Sequence, residues 1–283
     1  MIDLPDHESV QRVADWIELN LAITGELLSK AAVSAILESR SGEEPPEAFL
    51  SGIWRKLAYR ESLYRQKYYK VEGPVVESHL TVPAPNEYVA CVVLSLFGVQ
   101  GNTHIPAKLF ERLTRKAVES YLAGKAVVFG WPFAELGGDE ETAIKHKVGS
   151  LAKDLGEKFY ETPASHFKDR GLDIVGWIPF DDLRSGQVVV LLQCAAGHNW
   201  EDKLPVPIDA WCQYIHWGCN PIRAFAVPCV VDEKDWHEVS RDKGILFDRI
   251  RILNLLTGGI KEKELSDELG RWVQGQLSDY TTG

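Results

Sequence analysis

The sequence predicts an α/β fold, and three observations carry that expectation. Two apolar runs, 172–180 and 187–192, flank the turn-rich segment Asp181-Asp182-Leu183-Arg184-Ser185-Gly186, which is the pattern of a β-hairpin. Two further short apolar runs, KAVVFGW from Lys125 and RAFAVPCVV from Arg223, read as buried strands. Between and around them lie stretches with apolar residues at helical spacing, above all 106–122, 140–159 and 260–277.

In chain order, Val10, Val13, Ile17 and Leu21, then Leu27, Leu28, Ala31, Ala32, Ala35 and Ile36, predict two helices over 7–38, broken near Thr24-Gly25. A loop over 39–46 precedes a helix expected at about 47–70. Its inward side is Phe49, Ile53, Leu57 and Leu63. Its outer side carries Arg55, Lys56, Arg60, Arg65, Lys67 and Lys70, interleaved with Tyr59, Tyr64, Tyr68 and Tyr69. Such a face is either solvated, with half-buried tyrosines, or a surface that tracks phosphates or docks a partner; Arg55, Arg60, Arg65 and Lys67 are its candidate contacts. The proline-rich segment 72–86 reads as a linker and divides a helical N-terminal region, 1–86, from an α/β region, 87–283, whose core is about 140–231. The apolar run 87–99 reads as a helix by its length. Pro106 in the first turn and Gly124 past the end frame the next one. After the hairpin, 200–218 is mainly helical with its start broken by Pro205 and Pro207, and 244–256 contains another strand, ILFDRIRIL.

The 283 residues carry a net charge of −10, with 45% hydrophobic and 25% charged residues. Those are ordinary globular values. No apolar run approaches the ~18 residues of a membrane span, and the first residues, MIDLPDHESV, lack the basic and apolar regions of a secretory signal. Five scattered cysteines suit reduced thiols, so the expected compartment is the cytoplasm. The acidic balance argues against unaided binding to nucleic acid, because phosphate neutralisation supplies most non-specific affinity. A local basic face or a partner subunit would have to supply the attraction. The GxSxG, GxxxxGK[ST] and strand-following GxGxxG patterns are absent.

The hairpin holds the strongest chemical signal. Folding it about Leu183 and Arg184 brings Asp173 opposite Gln193 or Cys194, and opposed residues have Cβ atoms roughly 4.5–5.5 Å apart. Two oxygen-bearing side chains would meet between otherwise apolar strands, with Lys203 ten residues beyond Gln193. The plain alternatives are an Asp173 paired with Arg170 or Lys168, a Gln193 bonded to backbone and a solvated Lys203. A zinc site from Cys212, His216 and Cys219, spaced i, i+4 and i+7, with Cys194, His198 or Cys229, lacks the paired CxxC knuckles of structural zinc and reads better as buried core.

The segments KDRGLDIV (168–175) and QCAAGHNW (193–200) with Lys203, in a helix, strand pair, helix, strand order from residue 140, resemble the PD-(D/E)xK phosphodiesterase superfamily, and within it uncharacterised bacterial proteins linked to anti-phage defence. The resemblance covers residues 140–231. It implies a restriction-endonuclease-like α-β-β-β-α-β core behind the helical N-terminal region. It also implies a Mg²⁺ (or Mn²⁺) site with Asp173 as main carboxylate ligand and Gln193 as second ligand. A glutamate from the preceding helix, Glu157 or else Glu161, would complete that site. The superfamily's lysine normally stands where this chain has Ala195; Lys203, or less aptly His198, would take its part. The implied activity is DNA cleavage within a defence complex that includes other protein subunits, an ATPase being the candidate partner. A catalytically silent subunit that binds nucleic acid or scaffolds the complex is the second reading.

Overall fold

The structure, a computed structural model, describes residue 2 and residues 9–80, 84–99, 104–130, 140–161 and 169–281. Helix α1 (Val10–Thr24) starts at Ser9, whose side chain accepts the Arg12 N–H, and stops at Gly25, whose φ of 70° is the left-handed cap that glycine adopts without penalty. A short strand β1 (Leu27–Ser29) follows, and Ser29 then caps α2 (Lys30–Ser41) in the same way. The break expected near Thr24-Gly25 is therefore a helix end, a strand and a new helix start.

Helix α3 (Glu47–Leu63) ends seven residues before the expected Lys70. Tyr64 is already extended, and the chain turns into a hairpin of β2 (Tyr69–Glu72) and β3 (Val75–Ser78) around Gly73, which has a positive φ. These pair with β1 in the order β1-β3-β2, all antiparallel. The first part of the expected linker over 72–86 is thus the turn and central strand of a small sheet. The apolar run does form a helix, α4 (Asn86–Phe97), buried almost all round.

These elements belong to one compact unit, residues 1–106, 196–198 and 249–283. The other holds 107–195 and 199–248. The extents differ from the two regions expected at 1–86 and 87–283: α4 and the last helices, α9 (Arg249–Leu255) and α10 (Lys263–Thr281), join the N-terminal helices. The strand expected over 244–256 is confined to Ile245–Phe247. From residue 249 the buried positions Ile250, Leu253 and Leu256 recur at helical spacing, and helix wins.

The first unit is built around a charge group wholly removed from water. Asp15 and Glu18 of α1 meet Arg60 of α3 and Arg249 of α9, at N–O distances of 2.6–2.9 Å. Arg60 is 0% exposed. This corrects its expected place on a basic outer face: burial by itself would cost the guanidinium its charge, and Asp15 and Glu18 reverse that and raise its pKa. Tyr64, Tyr68 and Tyr69, expected on the same face, are buried as well. Arg55, Arg65 and Lys67 are exposed, with the Lys67 ammonium donating to the Glu61 carbonyl.

In the second unit, α5 (Ile105–Leu122) leads into β4 (Lys125–Val128), α6 (Glu140–Asp154) and β5 (Lys158–Phe159). Then come β6 (Ile174–Ile178), β7 (Val188–Cys194), a 3₁₀ turn (Trp200–Asp202), α7 (Ile208–Tyr214) and β8 (Ile215–His216). Strand β9 (Ile222–Ala226), α8 (Glu233–Lys243) and β10 (Ile245–Phe247) complete it. The main sheet is mixed, in the order β10-β9-β7-β6-β4: β4, β6 and β7 run antiparallel, and β7, β9 and β10 parallel. One face of β6 closes on α5 at Gly176, where a Cβ would stand 2.5 Å from Val118 Cγ1. The other face, with Val175, Trp177, Val189 and Leu191, packs into one core with Ile144, Val148 and Leu151 of α6 and Trp211 of α7. Because α7 ends at Tyr214, Cys212, His216 and Cys219 share no helix face. No helix among the described residues is long and apolar enough to cross a membrane.

Candidate functional site

The β6–β7 pairing ends at Ile174–Leu192, which leaves Asp173 just before β6 and Gln193 next to last in β7. Asp173 is fixed on both sides. Its N–H donates to the Leu192 carbonyl (3.0 Å), and its own carbonyl accepts from the N–H groups of Phe129 (2.7 Å) and Gly130 (3.2 Å), just past β4. The Cys194 N–H donates to carboxylate oxygen Oδ2 at 2.7 Å. Strand ends of β4, β6 and β7 thus converge on one aspartate.

Around Gly130 three charged groups crowd together. A Cβ built there would lie 2.9 Å from Asp173 Oδ1, 3.0 Å from Lys108 Nζ and 3.1 Å from Glu111 Oε2. Lys108 and Glu111 are one turn apart on α5, and the ammonium donates to both carboxylate oxygens, at 3.1 and 2.9 Å. Burial, then the neighbouring Glu111 carboxylate and Asp169, push the Asp173 carboxyl up to about 8, against the Cys194 hydrogen bond and Lys108. Burial also raises Glu111, with Asp169 adding to the rise while Lys108 and Lys203 oppose it. The Cys194 thiol is raised well above its usual range by burial, Asp173 and Glu111. Two carboxylates are therefore held side by side in a poorly solvated place with too little positive charge to ionise both comfortably.

Gly130→Ala tests that crowding. Lys108 can swing its ammonium away from an added methyl, whereas Asp173 is held by Cys194 and by its own backbone. The substitution should cost roughly 1–3 kcal/mol, the usual penalty of overpacking, read from urea denaturation midpoints; a neutral result would mean that the carboxylate is free to move.

Gln193, the expected second ligand, lies with its amide against Gly171, where a Cβ would be 2.9 Å from Nε2 and 3.4 Å from Oε1. Gly171 has φ 73° and sits two residues before Asp173, so the backbone there needs glycine both for conformation and for room. The Gln193 Oε1 atom is buried without a hydrogen-bond partner. An amide oxygen in that condition costs free energy that a bound cation or donor would recover.

Lys203 follows the 3₁₀ turn and acts electrostatically on both Glu111 and Cys194, so its charge reaches the carboxylate group. Its carbonyl accepts from the Lys243 ammonium at 2.7 Å, which ties this turn to the end of α8. Glu157 is placed elsewhere. Its two oxygens accept the N–H groups of Gly186 (3.0 Å) and Gly218 (2.8 Å), tying the hairpin turn to the loop after β8. Glu161 offers its N–H to the Tyr214 carbonyl. His198 is grouped with the first unit, its ring against Gly98, and burial followed by the nearby Arg12 lowers its pKa. Lys168 lies outside the described residues.

The members that sequence reasoning missed are Glu111, Lys108 and Asp169. The expected helix was the one immediately before the hairpin in sequence, α6. The helix that reaches Asp173 is α5, one helix earlier. The available signal was the Lys108/Glu111 pair near the start of an otherwise clean amphipathic helix that runs directly into the first strand.

Among the described residues no three His, Cys, Asp or Glu side chains are placed to hold a metal ion by themselves. The donors present do fit a hard divalent cation in kind: two carboxylates whose proton affinity is raised first by burial, and an amide oxygen with no hydrogen-bond partner.

No protein-family model matches the chain, and no curated protein does. Among solved structures, MspJI restriction endonuclease in complex with a 27-mer oligonucleotide aligns over 65% of this chain and 38% of its own, at 13% identity and a TM-score of 0.22. Restriction endonuclease FokI aligns over 90% of this chain and 46% of its own, at 9% identity and a TM-score of 0.19. The chain spans less than half the length of either protein. At these scores neither superposition bears on the fold.

Proposed function

We propose that the second unit is a metal-dependent DNA nuclease of the PD-(D/E)xK kind, acting as a subunit of a bacterial defence complex. The observation that carries this reading is the group at Gly130: a buried Asp173 carboxyl beside Glu111, at the strand end where the Gln193 amide oxygen stands unpartnered. With α6 and the two-residue strands β5 and β8 set aside as insertions, the order α5, β4, β6, β7, α7, β9, with β4-β6-β7 antiparallel and β7 parallel to β9, supports it, since that is the α-β-β-β-α-β order the resemblance implies. In this reading the core begins at α5 rather than at residue 140.

Asp173 and Glu111 would hold the Mg²⁺ or Mn²⁺ ion, with Gln193 supplying a neutral oxygen and Glu111 standing where Glu157 had been expected. Such an ion polarises a phosphodiester and lowers the pKa of a water it binds. The protein's own part is positional. The Cys194 N–H fixes the carboxylate, the Phe129 and Gly130 N–H groups fix the backbone carbonyl of Asp173, and Lys108 and Lys203 bring positive charge to a place where phosphate would carry negative charge. The net charge of −10 supports work inside an assembly, with other protein subunits such as an ATPase helping to bring DNA to the site.

Gln193→Ala and Lys203→Ala test the assignment with DNA and Mg²⁺ or Mn²⁺ in the assembled system. Loss of Lys203 should slow cleavage by roughly a hundredfold, the low end for a group that assists proton transfer or orients the nucleophile. Cleavage at the wild-type rate in both variants would place the chemistry elsewhere. The silent-subunit reading has its own support in Lys108, which already satisfies both Glu111 oxygens. It expects no cleavage by the wild type and an unchanged defence phenotype on Lys203→Ala.

A further inference from the structure

The basic-aromatic surface that sequence interleaving suggested, over residues 55–70, loses Arg60 and three of its four tyrosines to burial. A different one is assembled from two segments more than fifty positions apart in the chain. Strands β5 and β8 form a two-stranded antiparallel ribbon, with Lys158 opposite His216 and Phe159 opposite Ile215. Side chains alternate across a strand. Phe159 and Ile215 accordingly turn into the core, and Lys158, Tyr160 and His216 are exposed. Tyr160 continues the ribbon, its N–H donating to the Tyr214 carbonyl at 2.9 Å. Its ring is 65% exposed and stacks on the His216 imidazole, with centroids 4.3 Å apart and planes 19° from parallel.

An exposed tyrosine ring is ordinarily a mobile side chain. Here one face is covered by a second flat ring and the backbone is tied at the root, so the opposite face is offered in a fixed orientation. A cation, Lys158, stands across the ribbon from the imidazole. From the turn at residues 169–171, the Arg170 guanidinium lies 5.5 Å over the Tyr214 ring, and Arg170 is next to Gly171, against which the Gln193 amide packs. A fixed aromatic face flanked by positive charge is the arrangement that binds unpaired nucleotides: bases stack on the ring whatever their sequence, and lysine neutralises the strand. Paired bases present no free face to such a platform.

We propose that the Tyr160–His216 stack is a binding site for an unpaired nucleotide of the DNA substrate, so that the preferred substrate is a single strand, an overhang or a frayed end rather than a blunt duplex. The inference rests on the nuclease reading for the identity of the ligand, and its test does not use cleavage. The full-length protein would be titrated, in EDTA, with two fluorescein-labelled DNA duplexes that differ only in a six-nucleotide single-stranded overhang. The wild type should bind the overhang form more tightly. Tyr160→Ala should weaken that binding by roughly five- to hundredfold, the range for losing one stacked base, and leave the blunt duplex unchanged. Tyr160→Phe should keep the preference, which separates stacking from a fold defect, and His216→Ala should lie between. Equal binding of the two duplexes by the wild type, no binding of either, or an equal loss on both in Tyr160→Ala would each overturn the proposal. A protein that cleaves with Mg²⁺ but shows no overhang preference loses this inference and keeps the nuclease reading. The opposite pair of results does the reverse.

Discussion

Asp173→Asn should unfold at a higher temperature than the wild type at pH 8 and, under the nuclease proposal, abolish Mg²⁺-dependent cleavage. The two effects share one cause. An ordinary aspartate has a pKa of 3.8, and burial beside Glu111 raises that of Asp173 to about 8. Between those values the folded protein holds a proton that the unfolded chain releases. The folded state therefore binds more protons, and its stability falls as pH rises from about 4 to about 8. Asparagine keeps a hydrogen-bond acceptor for the Cys194 N–H and has no proton to lose. The stability gap in its favour should open across that window and level off above it, reaching on the order of a few kcal/mol. Millimolar Mg²⁺ should narrow the gap by stabilising the wild type alone, because a cation gives the paired carboxylates the positive charge they lack. Thermal melts at pH 5, 6.5 and 8, with and without Mg²⁺, measure all of this. A variant that melts no higher than the wild type at pH 8 would show the carboxyl to be at ease, and the argument for a cation there would lose its basis.

The second large effect is structural. Glu18 accepts four hydrogen bonds: from Arg60 (2.6 Å) and Arg249 (2.9 Å) on Oε1, and from Tyr64 (3.1 Å) and Tyr88 (2.8 Å) on Oε2. Asp15 is its companion. Burial alone would raise that carboxyl, and Arg249, Arg60 and the Ser95 hydroxyl hold it below its usual value instead. Glu18→Ala leaves two fully buried guanidiniums with one carboxylate and two phenols without an acceptor. Breaking such a group from one side costs about 3–5 kcal/mol, a large part of the roughly 5–15 kcal/mol that holds a protein folded. The loss should appear as faster amide hydrogen exchange in α1, α3, α4 and α9, with the β6–β7 ladder protected as before. Unchanged protection in those helices would mean that the charges contribute nothing net.

How much of this was legible in the sequence differs by element. The hairpin was, because Asp181 to Gly186 is turn chemistry between apolar runs and the alternation fixes which residues face each other. Helices α1 and α5 were legible from period and end signals, and α4 from the length of its apolar run. The basic face over 55–70 was misjudged because charge in a sequence carries no sign of burial: Arg60 reads like Arg55 until Asp15, Glu18 and Arg249 are seen around it. Lys67 and the three buried tyrosines were placed on a helix that in fact ends at Leu63. The helical partner of Asp173 was sought by proximity in sequence, so Glu157 was chosen over Glu111. Tyr160 and His216 carried no joint signal, since nothing local pairs a two-residue strand with another one more than fifty positions away.

Arg249 reaches Asp15 across 234 residues of chain. A ribosome has therefore displayed α1, α3 and α4 long before it delivers the second guanidinium their two carboxylates require. During that interval the amino-terminal helices face an uncompensated negative charge at their centre, while residues 107–248 already hold every strand of their own sheet. Translation should thus complete the second unit first, with the helical unit settling only after Arg249 leaves the exit tunnel.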